Sequence, residues 1–167
     1  MENGRLMVKK ISLRPNNYKQ IDTWLSRSAQ PVMENLEWLR EQGVTDIINL
    51  RNMSKDNFDE GKFVKELGMT YHSIPSVTKF IKNENAKEIL DVIELVKRKG
   101  GKVHLHCDHG SDRTGIISYI YERLHNIGTP KDNVEELNKY KWQKNKYPDL
   151  INWAEDIISK FLENGNY

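Results

Sequence analysis

One stretch of ten residues decides the fold, and it reads His106-Cys107-Asp108-His109-Gly110-Ser111-Asp112-Arg113-Thr114-Gly115. A short, mainly apolar run, residues 103–105, precedes it, and Gly100-Gly101 bounds that run on the other side. Apolar residues follow it at the spacing of one helix face: Ile116, Ile117, Ile120, Tyr121 and Leu124. The pattern predicts a strand, a tight loop and the N-terminus of a helix, in that order.

A loop in that setting is suited to binding a phosphate-sized anion. Its successive backbone N–H groups turn inward, and the dipole of the following helix adds partial positive charge. Cys107 stands near one end and Arg113, whose planar fork binds two phosphate oxygens, near the other. The same groups stabilise a thiolate nucleophile, and Thr114 can donate its hydroxyl to the sulfur. The residues expected to hold the phosphate are Asp108, His109, Gly110, Ser111, Asp112 and Arg113.

Two simpler interpretations compete with an anion loop. A lone cysteine after a strand is most often a small buried residue, but Arg113 at this spacing argues against that role. The nearby imidazoles suggest a metal site, yet no second Cys/His cluster completes a tetrahedral set, so we expect no metal. Strand alternation points His104 and His106 to the face opposite Cys107. We expect His104 to be a core or sheet-face residue and His106 to brace the loop by hydrogen bonding.

Length, composition and charge limit the classes of protein to which the chain can belong. Of the 167 residues, 37% are hydrophobic and 30% charged, so we expect one globular domain over residues 1–167. The net charge of +2 is too small to indicate a nucleic-acid partner. Residues 1–10 hold no apolar run of signal length, and no stretch approaches a membrane span. The single cysteine excludes an internal disulfide and favours the cytoplasm. We also expect the protein to be a monomer and to need no cofactor.

Strand and helix signals alternate along the rest of the chain. The expected strands, besides the run before Cys107, are residues 6–13, 23–27, 46–51 and 69–74. The expected helices cover residues 36–42, 63–67, 86–96, 116–124, a segment starting at Pro130 after the cap Thr129, and 150–161, with stops at Gly43 and Gly68. This predicts an α/β fold with a mostly parallel sheet of four to five strands and helices on both faces. Ligands bind beyond the C-terminal strand ends of such sheets, where Cys107, Arg51 and the loop after Ile74 should meet.

The ten-residue stretch resembles the HC-x5-R-[ST] signature of the cysteine-dependent protein phosphatases and matches it at every fixed position. Residues 27–31, 36–43, 47–51 and 71–75 are similar to small atypical dual-specificity phosphatases of microbial type, so the likeness spans about residues 25–128. The resemblance implies a phosphotyrosine phosphatase-like fold, a phosphocysteine mechanism and no metal. It also suggests that Arg51 and Gln30 lie near the site, with a sheet-end salt bridge and a turn as their alternative roles.

The general acid of most of this family is an aspartate on a mobile upstream loop, which here should be residues 75–83. That stretch contains no carboxylate, and Glu84, the first one after it, is expected at a helix start. The resemblance offers Asp112 instead, because some phosphatases that act on lipids or on several substrates carry Asp-Arg at the loop's end. Asp108 is the next candidate, and the alternative role of Asp112 is to order the loop or complement the helix dipole.

The expected function is hydrolysis of phosphotyrosine, and also of phosphoserine or phosphothreonine, in proteins through a phosphocysteine intermediate. A phosphoinositide or inositol phosphate is the alternative substrate, because Lys79, Lys82 and four lysines at positions 139–146 could hold extra phosphates. However, loops selective for inositides often carry a lysine where this chain has Ser111. A catalytically silent phosphate-binding module and a rhodanese-type sulfur transferase are further alternatives, and the intact signature disfavours both.

Overall fold

A five-stranded sheet lies at the centre of the computed structural model, which describes residues 13–53, 58–76 and 83–165. Its strands are β1 (Lys19–Gln20), β2 (Leu25–Ser28), β3 (Asp46–Asn49), β4 (Thr70–Ser73) and β5 (Val103–His106). Their order is β1-β2-β5-β3-β4, with β1 antiparallel to β2 and all other neighbours parallel. The expected mostly parallel sheet is confirmed, at the upper end of the expected number of strands.

The register brings the C-terminal ends of the four parallel strands to one edge of the sheet. Ser28 and Asn49 both pair with His106, and Asn49 also pairs with Ser73. Cys107 therefore leaves the sheet in the middle of that edge, between the ends of β2 and β3. This is the edge at which parallel sheets bind ligands.

Helices cover both faces of the sheet. The described ranges contain six: α1 (Met33–Glu41), α2 (Glu60–Glu66), α3 (Asn83–Arg98), α4 (Arg113–Leu124), α5 (Pro130–Lys139) and α6 (Leu150–Glu163). Alternation along β3 divides the core, because Ile47 packs with α1 and α2 while Ile48 packs with α3, α4 and α6. Cys107 belongs to the second, larger cluster, together with Val103 and Leu105. The nucleophile candidate therefore stands on the α4 side of the sheet.

Glycines and caps end several helices where the sequence predicts. Gly43 and Gly68 follow α1 and α2 with φ of +92° and +82°, a left-handed conformation that glycine adopts without strain. At the start of α5, the Thr129 hydroxyl accepts the Asp132 N–H, and the Asp132 carboxylate accepts the Thr129 N–H. Pro130 occupies the first turn, where its missing N–H has no helical partner to lose. Residues close in sequence therefore determine these helix ends without the help of tertiary contacts.

The edge of the sheet differs from the sequence expectation. Residues 6–12 of the expected strand at 6–13 lie outside the described residues, and Leu13 is in a turn. The edge strand that is described, β1, has two residues, too few for periodicity to reveal. None of the helices in the described ranges is both long and apolar enough to cross a membrane.

Candidate active site

The loop between β5 and α4 surrounds the sulfur of Cys107. This residue is only 2% exposed, and the Gly110 N–H donates to its Sγ across 3.3 Å. Gly110 has φ of +73°, and a Cβ at this position would lie 2.7 Å from the backbone nitrogen of Ala29. Glycine therefore lets the loop pass close to the end of β2. Because α4 begins at Arg113, its positive N-terminus adjoins the loop.

Three consecutive carbonyls of the loop are bound from outside it. The pairs are the Gln30 N–H with the Asp108 carbonyl (2.9 Å), Asn17 Nδ2 with the His109 carbonyl (2.7 Å), and Arg27 Nη2 with the Gly110 carbonyl. We call the three donor residues, Asn17, Arg27 and Gln30, the carbonyl clamp. In a trans peptide the next N–H points opposite to the carbonyl. The N–H groups of residues 109–111 therefore point away from the clamp, and that of Gly110 points at the sulfur.

A cavity of about 200 Å³ opens over the loop. Its lining comes from the loop, the start of α4 and the segment between α5 and α6: Cys107, Asp108, His109, Ser111, Asp112, Arg113, Gln143, Lys146 and Tyr147. Arg113 Nη1 also donates to the Leu50 carbonyl, 3.4 Å away, which holds the guanidinium beside the end of β3. Cys107, Arg113 and Asp112 therefore line one space.

Asp112, the last residue of the loop, is held by Gln143. Its Oδ1 accepts the Gln143 backbone N–H at 2.9 Å, and its Oδ2 accepts Gln143 Nε2 at 2.7 Å. Asp112 is the N-cap residue of α4 but makes no side-chain cap hydrogen bond to that helix. Its contacts tie the loop to the segment that also brings Lys146 and Tyr147 to the cavity.

His106 connects the loop to α2. Its Nδ1 lies 3.1 Å from the Cys107 carbonyl and its Nε2 lies 2.8 Å from Glu60 Oε1, with both side chains fully buried. Burial alone would raise the pKa of Glu60, but hydrogen bonds from His106, Gln30 and Tyr71 hold that pKa below its ordinary value. Glu60 is thus an ionised partner that fixes the imidazole behind the nucleophile.

The same network extends from Glu60 to Arg51. Gln30 Nε2 donates to Glu60 Oε1 at 2.9 Å, and Asn49 Nδ2 donates to Glu60 Oε2 at 2.8 Å. Arg51 Nη1 donates to Gln30 Oε1 at 2.9 Å and lies 3.9 Å from Asp108 Oδ1. Gln30 and Arg51 therefore both lie beside the loop, where Arg51 also forms a sheet-end ion pair.

Thr114 does not make the expected hydrogen bond to the sulfur. Its Oγ1 is buried and, within the described residues, has no hydrogen-bond partner. The hydrogen bond to Sγ comes from the Gly110 N–H instead. Thr114 is the second residue of α4, where the helix backbone allows its β-branched side chain few rotamers.

Of the remaining residues that the sequence proposed for the site, some lie at the cavity and others do not. Glu84 is exposed in the first turn of α3, as expected for a helix start. Residues 77–82, with Lys79 and Lys82, lie outside the described residues. Lys146 lines the cavity, whereas Lys139, Lys141 and Lys144 are not among the described residues that do.

The other imidazoles near the loop have different surroundings. His104 is fully buried, and the hydroxyls of Ser26 and Ser28 lie 2.8 and 2.7 Å from its two ring nitrogens, which confirms it as a core residue. The side chain of His109 is 77% exposed. Across the described ranges, no three His, Cys, Asp or Glu side chains are grouped so that they could hold a metal ion.

Four residues of the site were not found by sequence reasoning: Asn17, Arg27, Glu60 and Gln143. Each acts through a partner distant in the chain, which no local pattern reports. Arg27 does leave one signal, because it lies two residues after the buried Leu25 in β2 and so shares its face of the sheet. A charged residue at such a core position is uncommon unless it has a partner.

Known proteins resemble this chain in sequence and in fold. Residues 7–152 match the family model described as DSP-PTPase phosphatase fused to NAD+ kinase. The tyrosine-protein phosphatase of Autographa californica nuclear polyhedrosis virus is 25% identical over 166 residues, which cover 95% of this chain and 90% of the viral protein.

Two solved structures support the same conclusion about the fold. TpbA of Pseudomonas aeruginosa, in complex with phosphotyrosine, has a TM-score of 0.74 and 19% identity, covering 90% of this chain and 91% of that one. The core catalytic domain of the PP-IP phosphatase SIW14 of Saccharomyces cerevisiae has a TM-score of 0.72 and 20% identity, covering 92% and 94%. The chain thus belongs to the DSP-PTPase family, and it is a cysteine-dependent phosphatase.

Proposed function

We propose that this phosphatase removes phosphate from phosphotyrosine, and also from phosphoserine and phosphothreonine, in proteins through a phosphocysteine intermediate. The observation that carries the proposal is the position of Cys107, whose Sγ accepts the Gly110 N–H in a cavity that Arg113 also lines. The clamped carbonyls support it, because they turn the loop amides towards the anion.

The reaction proceeds in two displacements at phosphorus. The Cys107 thiolate attacks, the S–P bond forms, the bond to the leaving oxygen breaks, and Asp112 protonates that oxygen. Water then attacks phosphorus while Asp112 takes its proton, and the S–P bond breaks to release inorganic phosphate and the thiolate. Throughout, Arg113 and the loop amides bind the three equatorial oxygens of the transferring phosphoryl group, over which the charge of each transition state is spread.

Asp112 is the preferred general acid because of where its carboxylate is held. Asp108 also lines the cavity, but its side chain is 44% exposed and lies 3.9 Å from Arg51. Asp112 is 7% exposed and is oriented by two hydrogen bonds from Gln143. A fixed orientation favours proton transfer to one leaving oxygen.

The aromatic wall of the cavity supports phosphotyrosine as substrate. Tyr147 lines the cavity together with the loop, and an aromatic ring of the substrate would gain contact area and ring–ring attraction there. The related viral protein is named a tyrosine-protein phosphatase, and TpbA binds phosphotyrosine in its crystal structure.

An inositol phosphate is the second candidate, favoured by Lys146 at the cavity and by the likeness to SIW14, a PP-IP phosphatase. Ser111, buried in the loop, offers no second cation there, which favours the first candidate. A catalytically silent module is disfavoured, because Cys107 and Arg113 are both present and share the cavity.

We further propose that residues 1–167 act as one monomeric catalytic domain in the cytoplasm. A reducing compartment keeps the single thiol available for attack.

A substrate panel assayed with a chelator present tests the proposal. It compares peptides carrying phosphotyrosine, phosphoserine and phosphothreonine with inositol phosphates and phosphoinositides, and we expect the highest kcat/KM on phosphotyrosine. Cys107→Ser should abolish turnover and still bind phosphate, because the amides and Arg113 remain. Residual activity above about a tenth of wild type would exclude the covalent mechanism. A preference for inositol phosphates would instead overturn the substrate and leave the mechanism standing.

A further inference from the structure

Arg27 is a fully buried charge beneath the phosphate loop. It lies in β2 beside Leu105 of β5, with none of its surface exposed. Its guanidinium carbon is 4.6 Å from the centre of the Tyr140 ring. A Cβ added to Gly115, in the first turn of α4, would lie 3.9 Å from Nη1. The guanidinium therefore fills the space between the sheet and the start of α4.

Packing and hydrogen bonding give an incomplete account of this arginine. Nη2 donates to the Gly110 carbonyl, but Nε and Nη1 are buried without a hydrogen-bond partner among the described residues. Burying a charge with unpaired donors opposes folding. Stability alone does not explain why Arg27 occupies this position.

Charged and titratable groups surround the guanidinium. Burial lowers the pKa of Arg27 to about 10, against the opposing effects of Cys107, Tyr140 and Glu122, so it is cationic at neutral pH. Lys19 and His104 also interact with its charge. Among these neighbours, Cys107 has the largest electrostatic effect on the guanidinium.

We propose that Arg27 is a positioning residue that holds the phosphate loop in its anion-binding shape through the Gly110 carbonyl and places a positive charge beneath the thiolate. The Gly110 carbonyl fixes the peptide whose N–H belongs to Ser111, and Gly110 itself donates to Sγ. Without Arg27 this part of the loop loses the only clamp donor that carries charge. The inference rests on the proposed cysteine mechanism, to which it adds a residue outside the HC-x5-R signature.

Arg27→Met tests the inference because methionine fills the buried space without charge or donor. We expect Arg27→Met to fold, and its thermal midpoint and circular dichroism give the folded fraction against which its activity is compared. We expect its kcat/KM on p-nitrophenyl phosphate to fall about tenfold to a hundredfold, the factor equivalent to one charge-assisted hydrogen bond. Alkylation of Cys107 by iodoacetate at pH 6 should slow, because the thiolate loses a neighbouring positive charge. Inorganic phosphate should protect the variant thiol less well than the wild-type thiol.

Tyr119→Phe is the matched control. Tyr119 is a buried residue of α4, and the substitution removes its hydroxyl, which donates to Glu155 on α6 and not to the loop. It should lower the thermal midpoint and leave alkylation and kcat/KM within about twofold of wild type. If Arg27→Met does not fold, Arg27→Gln is judged by the same measurements.

Two results would overturn the inference. One is a folded Arg27 variant with wild-type alkylation at pH 6 and kcat/KM within about twofold. The other is activity lost only in proportion to the unfolded fraction measured by circular dichroism. Alkylation and its protection by phosphate need no substrate, so they report on Arg27 even if the proposed substrate or acid is wrong.

Discussion

Asp112→Asn separates proton donation from loop ordering when it is compared with Gln143→Ala. Asp112 accepts two hydrogen bonds from Gln143, at 2.9 Å from the backbone N–H and at 2.7 Å from Nε2. An asparagine keeps one acceptor and sets an NH₂ group against an N–H donor, which loses about 1.5–3 kcal/mol, the value of a hydrogen bond to a charged group. Gln143→Ala removes only the Nε2 contact and leaves the carboxylate in place. Both variants therefore loosen the same contact, but only Asp112→Asn removes a transferable proton.

The assay compares two leaving groups in both variants. The phenolate of tyrosine has a pKa near 10 and needs a proton as it leaves, whereas a nitrophenolate barely does. General-acid assistance is worth about 10²–10⁴-fold, so Asp112→Asn should lose at least two decades of kcat on a phosphotyrosine peptide and far less on p-nitrophenyl phosphate. Gln143→Ala should affect both substrates by a similar, smaller factor.

The refuting result is a loss in Asp112→Asn that is equal for the two substrates and is matched by Gln143→Ala. Asp112 would then order the loop, and Asp108, Glu84 or water would supply the proton.

Two further predictions concern Arg113 and Glu122. Arg113→Lys keeps the charge but loses the bidentate fork, so kcat should fall about a hundredfold to a thousandfold in steady-state assays, and a loss below about tenfold would show that Arg113 is not the oxyanion clamp. Burial raises the pKa of Glu122 from 4.5 to about 6, and its Oε1 has no hydrogen-bond partner among the described residues. Its contribution to the free energy of unfolding is complete below pH 4.5 and is lost as the pH rises through about 6, at a cost of about 2 kcal/mol. Glu122→Gln should therefore raise the Tm in calorimetry at pH 8 and not at pH 4, and an equal shift at both pH values would contradict the assignment.

The parts of the fold that sequence predicts are those coded by neighbouring residues. The strand–loop–helix unit around Cys107 follows from periodicity and glycines within about twenty residues. The end of α1 at Gly43 and the start of α5 at Thr129 follow from the same short-range chemistry. The edge strand β1 has no such code, because two residues paired with β2 show no period.

The site shows the same division between local and distant causes. The spacing of Cys107 and Arg113 already places both at one loop, and the structure lines one cavity with them. The sequence predicted a hydrogen bond from the Thr114 hydroxyl to the Cys107 sulfur, but residue spacing does not determine the rotamer that such a bond requires. Gln143 was missed because its contact with Asp112 spans 31 residues and uses a backbone N–H, which every residue type can offer.

The contacts of the carbonyl clamp also bear on the stage of folding at which the anion-binding loop forms. Arg27 and Gly110 are 83 residues apart, and Asn17 and His109 are 92 apart, so their contacts close long loops of the chain only when the sheet assembles. We therefore expect a chain that has not yet assembled the sheet to lack the anion-binding loop, so that the reactivity of the Cys107 thiol appears with the native state.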